Sequence, residues 1–357
     1  MKLMKPLRKG SLVLIGLFLV PFFPAIKGLA KEKPAIRFDH YTIREGLSQS
    51  TVNCIMQDHK GLIWIGTQDG LNRFNGYEFT VFQKDPQDSS SISNNFVHSI
   101  LEGPTGGVLV GTENGLDRFH RKGQGFEAID FEDELRPTIR ALEKDGKGNV
   151  WIGTLENGLF VLPQDSGLAY RPKGLSPDIH SVRNLCMGEG DSLWVGTSDK
   201  GLFIYQYRKE RLIPTPVKNL RIHAVHSTKG GDYWIGTERG AFRLEIEKGA
   251  FQVSDRVRAG DKKGALPHPV VKAVHKDRKG RVWFGTAGGG LSRLYLEEGE
   301  KRFHHYQHHD YIPSSLANDL VNSIHEDRTH LDRVPKRCEQ VRSQRTEFSS
   351  HHFPSDE

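Results

Sequence analysis

The sequence predicts an all-β chain built from a repeated four-stranded unit, set around an axis as a β-propeller. One phrase returns six times: a hydrophobic run, Trp, Gly-Thr, then Gly followed by Leu or Ala. It reads LIWIGTQDGLNRF from Leu62, VLVGTENGLDRF from Val108, VWIGTLENGLF from Val150, LWVGTSDKGLF from Leu193, YWIGTERGAFRL from Tyr233 and VWFGTAGGGLSRL from Val282. The Gly-Thr pairs begin at Gly66, Gly111, Gly153, Gly196, Gly236 and Gly285, in steps of 45, 42, 43, 40 and 49 residues. A period near 40–45 with strand-like units marks a toroidal β-repeat. All five tryptophans (Trp64, Trp151, Trp194, Trp234, Trp283) occupy the same point of the repeat, and only Leu109 departs.

Each unit opens with a short apolar run, Val52–Met56 in the first copy. The equivalents are Val97–Ile100, Ile139–Leu142, Val182–Leu185, Ile222–Val225, Val271–Val274 and Val321–Ile324. This is strand A, and there are seven. A polar turn follows, such as Asp58-His59-Lys60-Gly61, Asp145-Gly146-Lys147-Gly148 or Asp277-Arg278-Lys279-Gly280. Asp caps such a turn and Gly supplies a positive φ, which is hairpin chemistry.

Strand B carries the tryptophan. In Leu62–Thr67 both alternating faces are apolar, so both must be covered, as stacked blades require. Gly66 is expected to leave room for the tryptophan of a neighbouring blade. Strand C follows at Gly70–Phe74, and strand D at Glu78–Phe82 or Arg302–Tyr306. Four antiparallel strands in some 40 residues make a propeller blade. At the N-terminus Ile36–Tyr41 is patterned like a lone strand D. Donated to the last blade, it would close the ring and remove its open edges.

The expected architecture is therefore six complete blades plus a partial or damaged seventh, over residues 31–328, closed by an N-terminal strand. The seventh unit begins at Leu320-Val321-Asn322-Ser323-Ile324, but its tryptophan strand is missing. One choice of codons for Leu331–Arg342, read one nucleotide on, spells WIGSQNGVNRF, which is the absent phrase. Two compensating frame errors around residues 329–346 are expected, making residues 329–357 an aberrant tail. A naturally divergent tail is the alternative.

Residues 1–30 carry five bases and no acid, an apolar stretch from Leu12 to Phe23 and a small-residue exit at Gly28-Leu29-Ala30. They read as a secretory signal peptide, which places the body in the periplasm or elsewhere outside the cytoplasm. An inner-membrane signal anchor is the alternative, although Pro21 and Pro24 break the stretch. The net charge of +6 resides in this leader and in Leu331–Arg345, which holds five bases against two acids. The body is close to neutral, and nothing in it suggests a nucleic-acid partner. Cys54 and Cys186 lie in strands of different repeats and read as buried free thiols rather than a disulfide.

The second residue of strand A is polar in all seven units: Asn53, His98, Arg140, Arg183, His223, Lys272 and Asn322. The innermost strand of a propeller borders the axial channel. If this position faces it, three permanent bases and two histidines converge there and suit a carboxylated or sulfated sugar. These seven form the candidate ligand-binding site; the alternative is that they merely solvate an open channel. The cluster His304-His305-Tyr306-Gln307-His308-His309-Asp310 alternates faces on a strand and reads as a solvated strand end, not a metal site. Glu132-Asp133-Glu134 reads as a solvated loop. No nucleophile motif, phosphate loop or helical metal pair is present, so no catalytic residue and no cofactor is expected.

The phrase W-I-G-T-x-x-G-L-x-R-F, with D-x-x-G before it, resembles the two-component regulator propeller repeat over about residues 36–327. The resemblance implies the periplasmic sensor region of a membrane-bound hybrid histidine kinase or diguanylate cyclase. Such proteins often carry two propellers, a small β-sandwich, a membrane helix and a cytoplasmic output. Full-length relatives are expected to be membrane-anchored and homodimeric. In gut Bacteroides relatives the ligands are often breakdown products of polysaccharides. This chain would then be the N-terminal piece of a sensor, non-enzymatic by itself, with an oligosaccharide or other small ligand as partner. A secreted polysaccharide-acting lyase or hydrolase, or a non-catalytic protein-interaction propeller, is the alternative.

Overall fold

The computed structural model describes residues 36–327, except 124, 165, 229–230, 248–249 and 261–263. The expected signal peptide and the expected frame errors lie outside the described residues.

Six antiparallel sheets follow one another along the chain. Blade 1 holds β1 (Val52–Gln57), β2 (Ile63–Thr67), β3 (Leu71–Phe74) and β4 (Phe79–Phe82). Blade 2 holds β5 (Val97–Glu102), β6 (Val108–Thr112), β7 (Gly115–His120) and β8 (Gly125–Phe131). Blade 3 holds β9 (Ile139–Lys144), β10 (Val150–Thr154) and β11 (Leu159–Leu162), with a two-residue β12 (Leu168–Ala169) beyond it. Blade 4 holds β13 (Val182–Met187), β14 (Ser192–Thr197), β15 (Gly201–Gln206) and β16 (Arg211–Lys218). Blade 5 holds β17 (Ile222–Thr228), β18 (Asp232–Thr237), β19 (Gly240–Glu247) and β20 (Ala250–Val257). Blade 6 holds β21 (Val271–Lys276), β22 (Val282–Thr286), β23 (Leu291–Glu297) and β24 (Glu300–Tyr306). Within each blade neighbours in sequence are neighbours in the sheet, so the protein is a β-propeller. The first strand of each of blades 1 to 5 packs against the first strand of the next.

The repeated phrase has a separate task for each residue. Four of the five tryptophans are buried between blades, against aromatic rings of the following blade, and Trp283 stacks on Tyr306 of its own blade. Trp64 lies 5.2 Å from Phe119, Trp151 5.7 Å from Tyr205, Trp194 4.2 Å from Tyr233 and Trp234 5.3 Å from Phe284. Such a side chain covers 150–250 Å² and contributes about 4 kcal/mol or more. The threonine hydroxyl donates to the carbonyl of the glycine that precedes or opens the third strand, as in Thr67 to Gly70 (2.9 Å) and Thr197 to Gly201 (2.7 Å). The same bond recurs in the other four blades, at Thr112, Thr154, Thr237 and Thr286.

The turn aspartate caps its own hairpin and also holds the indole. Asp58 accepts from the amides of Lys60 and Leu62 and, at 2.8 Å, from Trp64 Nε1. Asp277 does the same for Lys279, Arg281 and Trp283. Gly61 and Gly280 close these turns at φ 82° and 77°. Blade 2 has lost both partners together: Gly103 stands where Asp is expected and Leu109 where Trp is expected.

The glycine before the threonine answers to a different neighbour from the one expected. A methyl group on it would meet the first residue of the next blade, not a tryptophan. The clashing atoms are Val97 Cγ1 for Gly66 (2.6 Å), Ile139 Cγ2 for Gly111 (2.5 Å), Val182 Cγ1 for Gly153 (2.7 Å) and Ile222 Cγ2 for Gly196 (2.6 Å). At Gly236 it is the Val271 carbonyl (2.8 Å), and at Gly285 it is Val321 Cγ1 (2.7 Å). The indole instead packs two residues earlier on the strand, where there is room for it.

The seventh inner run follows the same rules. Val321 sits against Gly285, its amide donates to Thr286 O, and Gly290 N donates to Asp319 O. On the other side Asn322 Nδ2 donates to Val52 O at 3.0 Å, as Asn53 Nδ2 donates to Val97 O at 2.9 Å. Residues 321–327 therefore occupy the inner place between blades 6 and 1, without regular strand pairing. The N-terminal segment closes this sector as an extended strap in which only Arg37 forms a bridge. Ile36 and Phe38 pack on Trp283, Leu316 and Val321, and Phe38 N donates to Ser314 O. Tyr41 then lies 5.2 Å from Phe74, and Ser48 N donates to Asn72 Oδ1 in blade 1.

Blade 3 is the irregular one. Its outer strand is replaced by β12, which pairs in parallel with β8 of blade 2, while Tyr170 bridges back to Val161. Pro163, Pro172 and Pro177 bracket this stretch, each without a backbone donor. Cys54 and Cys186 are free thiols, and burial pushes both up to about 12, so neither is a reactive nucleophile.

The glycine seam yields a prediction. Gly153→Ala places a methyl group 2.7 Å from Val182 Cγ1 and is expected to destabilise by about 1–3 kcal/mol. Gly167→Ala, where nothing lies within 4 Å, is the control. Urea unfolding midpoints that shift equally for both would refute the seam.

Candidate functional site

The first strand of each blade contains a β-bulge. Val52 pairs with Thr67 and Cys54 with Gly66, so Asn53 is skipped. The same slip skips His98, Arg140, Arg183, His223 and Lys272. The cause lies in the seam. The first residue must reach across to the preceding blade's glycine, while the third, such as Cys54 or Ser99, must sit beside its own. The residue between them is left out of the ladder and its side chain is re-aimed. Six of the seven sequence-predicted site residues are thus bulge residues.

Five of them come together electrostatically. Arg140 Nη1 lies 3.1 Å from the His98 ring nitrogens. His98 is buried and held down to about 3, first by that burial and then by Arg140 and Arg183. It is therefore neutral at pH 7 and accepts from Arg140, with Glu113 at 3.6 Å from Nε2. His223 is likewise held down to about 3 by burial, then by Lys272, Arg183 and Arg221. Arg183 is lowered to about 10 by burial, Arg140 and Arg221. Lys272 is lowered by burial and then by Arg183, Arg221 and Arg140, so blades 3 to 6 share one field.

Asn53 and Asn322 do not join this cluster as free donors. Their amides are committed to Val97 O and Val52 O, which makes them locks between blades. The cation cluster is consequently one-sided. Among the described residues no carboxylate forms an ion pair with Arg183, Lys272 or Arg221. Only Glu113 acts on Arg140, raising its pKa against the lowering by burial.

Sequence reasoning missed Arg221 and Glu113. Arg221 immediately precedes β17, and Glu113 lies in the turn after β6. Neither position is charged in every copy, so the repeat gave no signal. A deeper layer was also missed. The Glu143 carboxyl accepts from Met187 N at 3.0 Å, and burial raises its pKa to about 7. His226 Nε2 accepts from Lys276 N at 3.1 Å in the same way.

The histidine-rich end of β24 is more structured than expected. His304 stacks on Tyr295 at 4.2 Å, His305 bonds Ser292 Oγ, and His308 Nδ1 bonds the Leu316 carbonyl. Among the described residues no group of three or more His, Cys, Asp or Glu is placed to hold a metal ion. No helix among them is long and apolar enough to cross a membrane.

The family model described as the two component regulator propeller matches residues 46–69 and 265–288, in blades 1 and 6. The chain carries two-component regulator propeller repeats. It is 42% identical over 80 residues to Histidine kinase P4 of Formosa agariphila, covering 22% of this chain and 6% of that protein. The extracellular domain of a B. thetaiotaomicron protein described as a hybrid two component system superposes with a TM-score of 0.69 at 21% identity. That match covers 82% of this chain and 39% of the other. A second extracellular domain from the same bacterium, described as a one component system, gives a TM-score of 0.65 at 25% identity, over 82% and 38%. The chain spans about two fifths of the solved domains that it resembles.

The histidines yield a pH prediction. His98, His223 and His226 are held to about 3, 3 and 4, below the ordinary 6.5. Below pH 6.5 the unfolded chain takes up protons that the folded chain refuses, so stability falls as the pH drops toward 4. The urea midpoint is expected to be lower at pH 5 than at pH 7. Replacing the three by Gln is expected to flatten the fall, and an unchanged slope in that variant would rule the account out.

Proposed function

We propose that this chain is the ligand-sensing propeller of an extracytoplasmic two-component receptor, and that its ligand presents an anionic group to the axial mouth. The observation that carries this reading is the cation cluster itself. Arg183 and Lys272 are half-buried, Arg221 stands exposed beside them, and none of the three has a carboxylate partner among the described residues. Desolvating like charges together is costly unless something offsets it. A bound carboxylate or sulfate would relieve that repulsion and accept charge-assisted hydrogen bonds, with arginine able to bind bidentately.

The bulges make the site rigid, because each cation springs from a strand held on both sides. His98, being neutral, orients Arg140 without cancelling its charge. Carboxylated or sulfated sugars fit this chemistry, and the likeness to sensor domains supports a recognition role. Signal output would belong to a larger receptor, in keeping with the share of the relatives that the chain spans.

Isothermal titration with sodium sulfate and with glucuronate-containing oligosaccharides tests the proposal. Arg183→Ala and Lys272→Ala are each expected to weaken binding about tenfold or more, since a hydrogen bond to a charged group is worth about 1.5–3 kcal/mol. Arg140→Ala is expected to act in the same direction. Unchanged binding in all three variants removes the anion site. Newly formed reducing or unsaturated ends in the same mixtures would replace the sensor by an enzyme.

A further inference from the structure

In the seventh sector the inner and outer places of a blade are held, and the two middle ones are not. The inner run keeps the place of a first strand along its length. Val321 N donates to Thr286 O at one end. At the other the Glu326 carboxylate accepts from Arg278 N at 3.1 Å, as Glu102 of blade 2 accepts from His59 N of blade 1. The N-terminal strap keeps the place of a fourth strand. In blade 1 that place belongs to Phe82, which lies 5.3 Å from Phe119 and 5.6 Å from Phe126 of blade 2. Tyr41 of the strap makes the corresponding contacts with Phe74 and Phe79 of blade 1, at 5.2 and 6.0 Å. Among the described residues no strand stands between the run and the strap.

Blade 1 registers the difference. Ile63 and Ile65 of its second strand face the seventh sector, as Val108 and Val110 face blade 1. Ile65 is half-buried, whereas its counterparts Val110, Ile152, Val195, Ile235 and Phe284 are at 0% exposure. Ile63 and Val52 are half-buried as well, at positions that are buried in the other five blades. The opposite wall is backbone. Cys54 and Ile55 of β1 pair with Gly66 and Ile65 of β2. Their counterparts Ser323 and Ile324 have no backbone bond among the described residues. An apolar face and a free strand edge thus border one slot.

The other seams show what such a slot takes. Between blades 1 and 2 the same space is filled by Trp64 and Leu71, which cover Val108 and Val110, while Gly66 clears Val97. The matching occupant here is an extended hairpin. Its backbone pairs with Ser323 and Ile324, its indole covers Ile63 and Ile65, and its glycine stands opposite Val52. A helix or a small apolar molecule would cover the isoleucines but leave the strand edge unpaired. A second copy of this chain has no hairpin to give, because each of its six is already built into a blade.

We propose that the slot between the seventh inner run and blade 1 is a docking site for a β-hairpin of the tryptophan and Gly-Thr type carried by another polypeptide, which completes the seventh blade by strand addition. The slot shares no side chain with the cation cluster, and the two sites stand or fall separately.

A labelled synthetic peptide with the sequence of residues 61–76, which spans β2 and β3, is the probe, titrated with the full chain and read by fluorescence anisotropy. Saturable binding on the order of 10 μM is expected. Trp64→Ala or Gly66→Val in the peptide is expected to weaken it about tenfold or more. Hydrogen exchange at the amides of residues 322–326 is expected to slow when the peptide is bound, with no change in β20 at the edge of blade 5. No saturable rise at about 100 μM chain, equal affinity for the three peptides, or protection away from the slot overturns the docking site. Exchange at 322–326 that is already slow in the free chain at every concentration gives the slot to the chain's own remaining residues. Protection that grows with chain concentration alone gives it to a second copy. Either result also overturns docking of a foreign hairpin.

Discussion

Every seam between blades rests on a glycine that cannot accept one more carbon. Opposite it stands the first residue of the next inner strand, always β-branched (Val97, Ile139, Val182, Ile222, Val271 or Val321), close to where a side chain would have begun. Interiors packed at crystal density tolerate neither a void nor an added methyl group at such a point. The contact sets the distance between sheets, and the tryptophans then fill the wider space farther out. Threonine satisfies the turn carbonyl in all six blades, and aspartate satisfies the buried indole N–H in blades 1, 3 and 6.

The same contact shapes the functional surface. Reaching across a seam with one residue, and fitting beside the blade's own glycine two residues later, leaves no place in the ladder for the residue between. A bulge results in all six blades, and in blades 2 to 6 it delivers one side chain to a common neighbourhood. Packing thus specifies the position, and its identity is left open to chemistry. Asn53 and Asn322 spend that freedom on bonds to the next blade. Arg140, Arg183 and Lys272 spend it on charge, at a cost in mutual repulsion.

Two places break the regularity, for different reasons. In the seventh sector the inner run keeps its seam contact with Gly285 and its bond to Val52, so the ring is continuous at its innermost layer. The outer part of that sector is covered by Ile36 and Phe38, which shield Trp283. In blade 3 the chain that should form a fourth strand bonds to blade 2 instead and leaves a cleft. Loops that abandon the repeat in this way are free to carry binding groups, because the scaffold beneath them is already complete.

The amino-acid sequence by itself determined the blade. The period, the tryptophan, the Gly-Thr pair, the turn aspartate and the polar second residue of strand A are local and repeated, and repetition makes them legible. It also placed Val321 and Asn322 in a seventh inner run. The tertiary structure decided what those residues touch. That Gly66 faces Val97 and not a tryptophan, that asparagine locks a seam while Arg183 has no carboxylate partner among the described residues, and that Arg221 and Glu113 act on the cation cluster all depend on contacts between blades. Such contacts join residues some 40 positions apart, and no local pattern encodes them. The irregular path from Pro163 to His180 was unreadable for the same reason. Contacts with the neighbouring blades decide where the chain goes there.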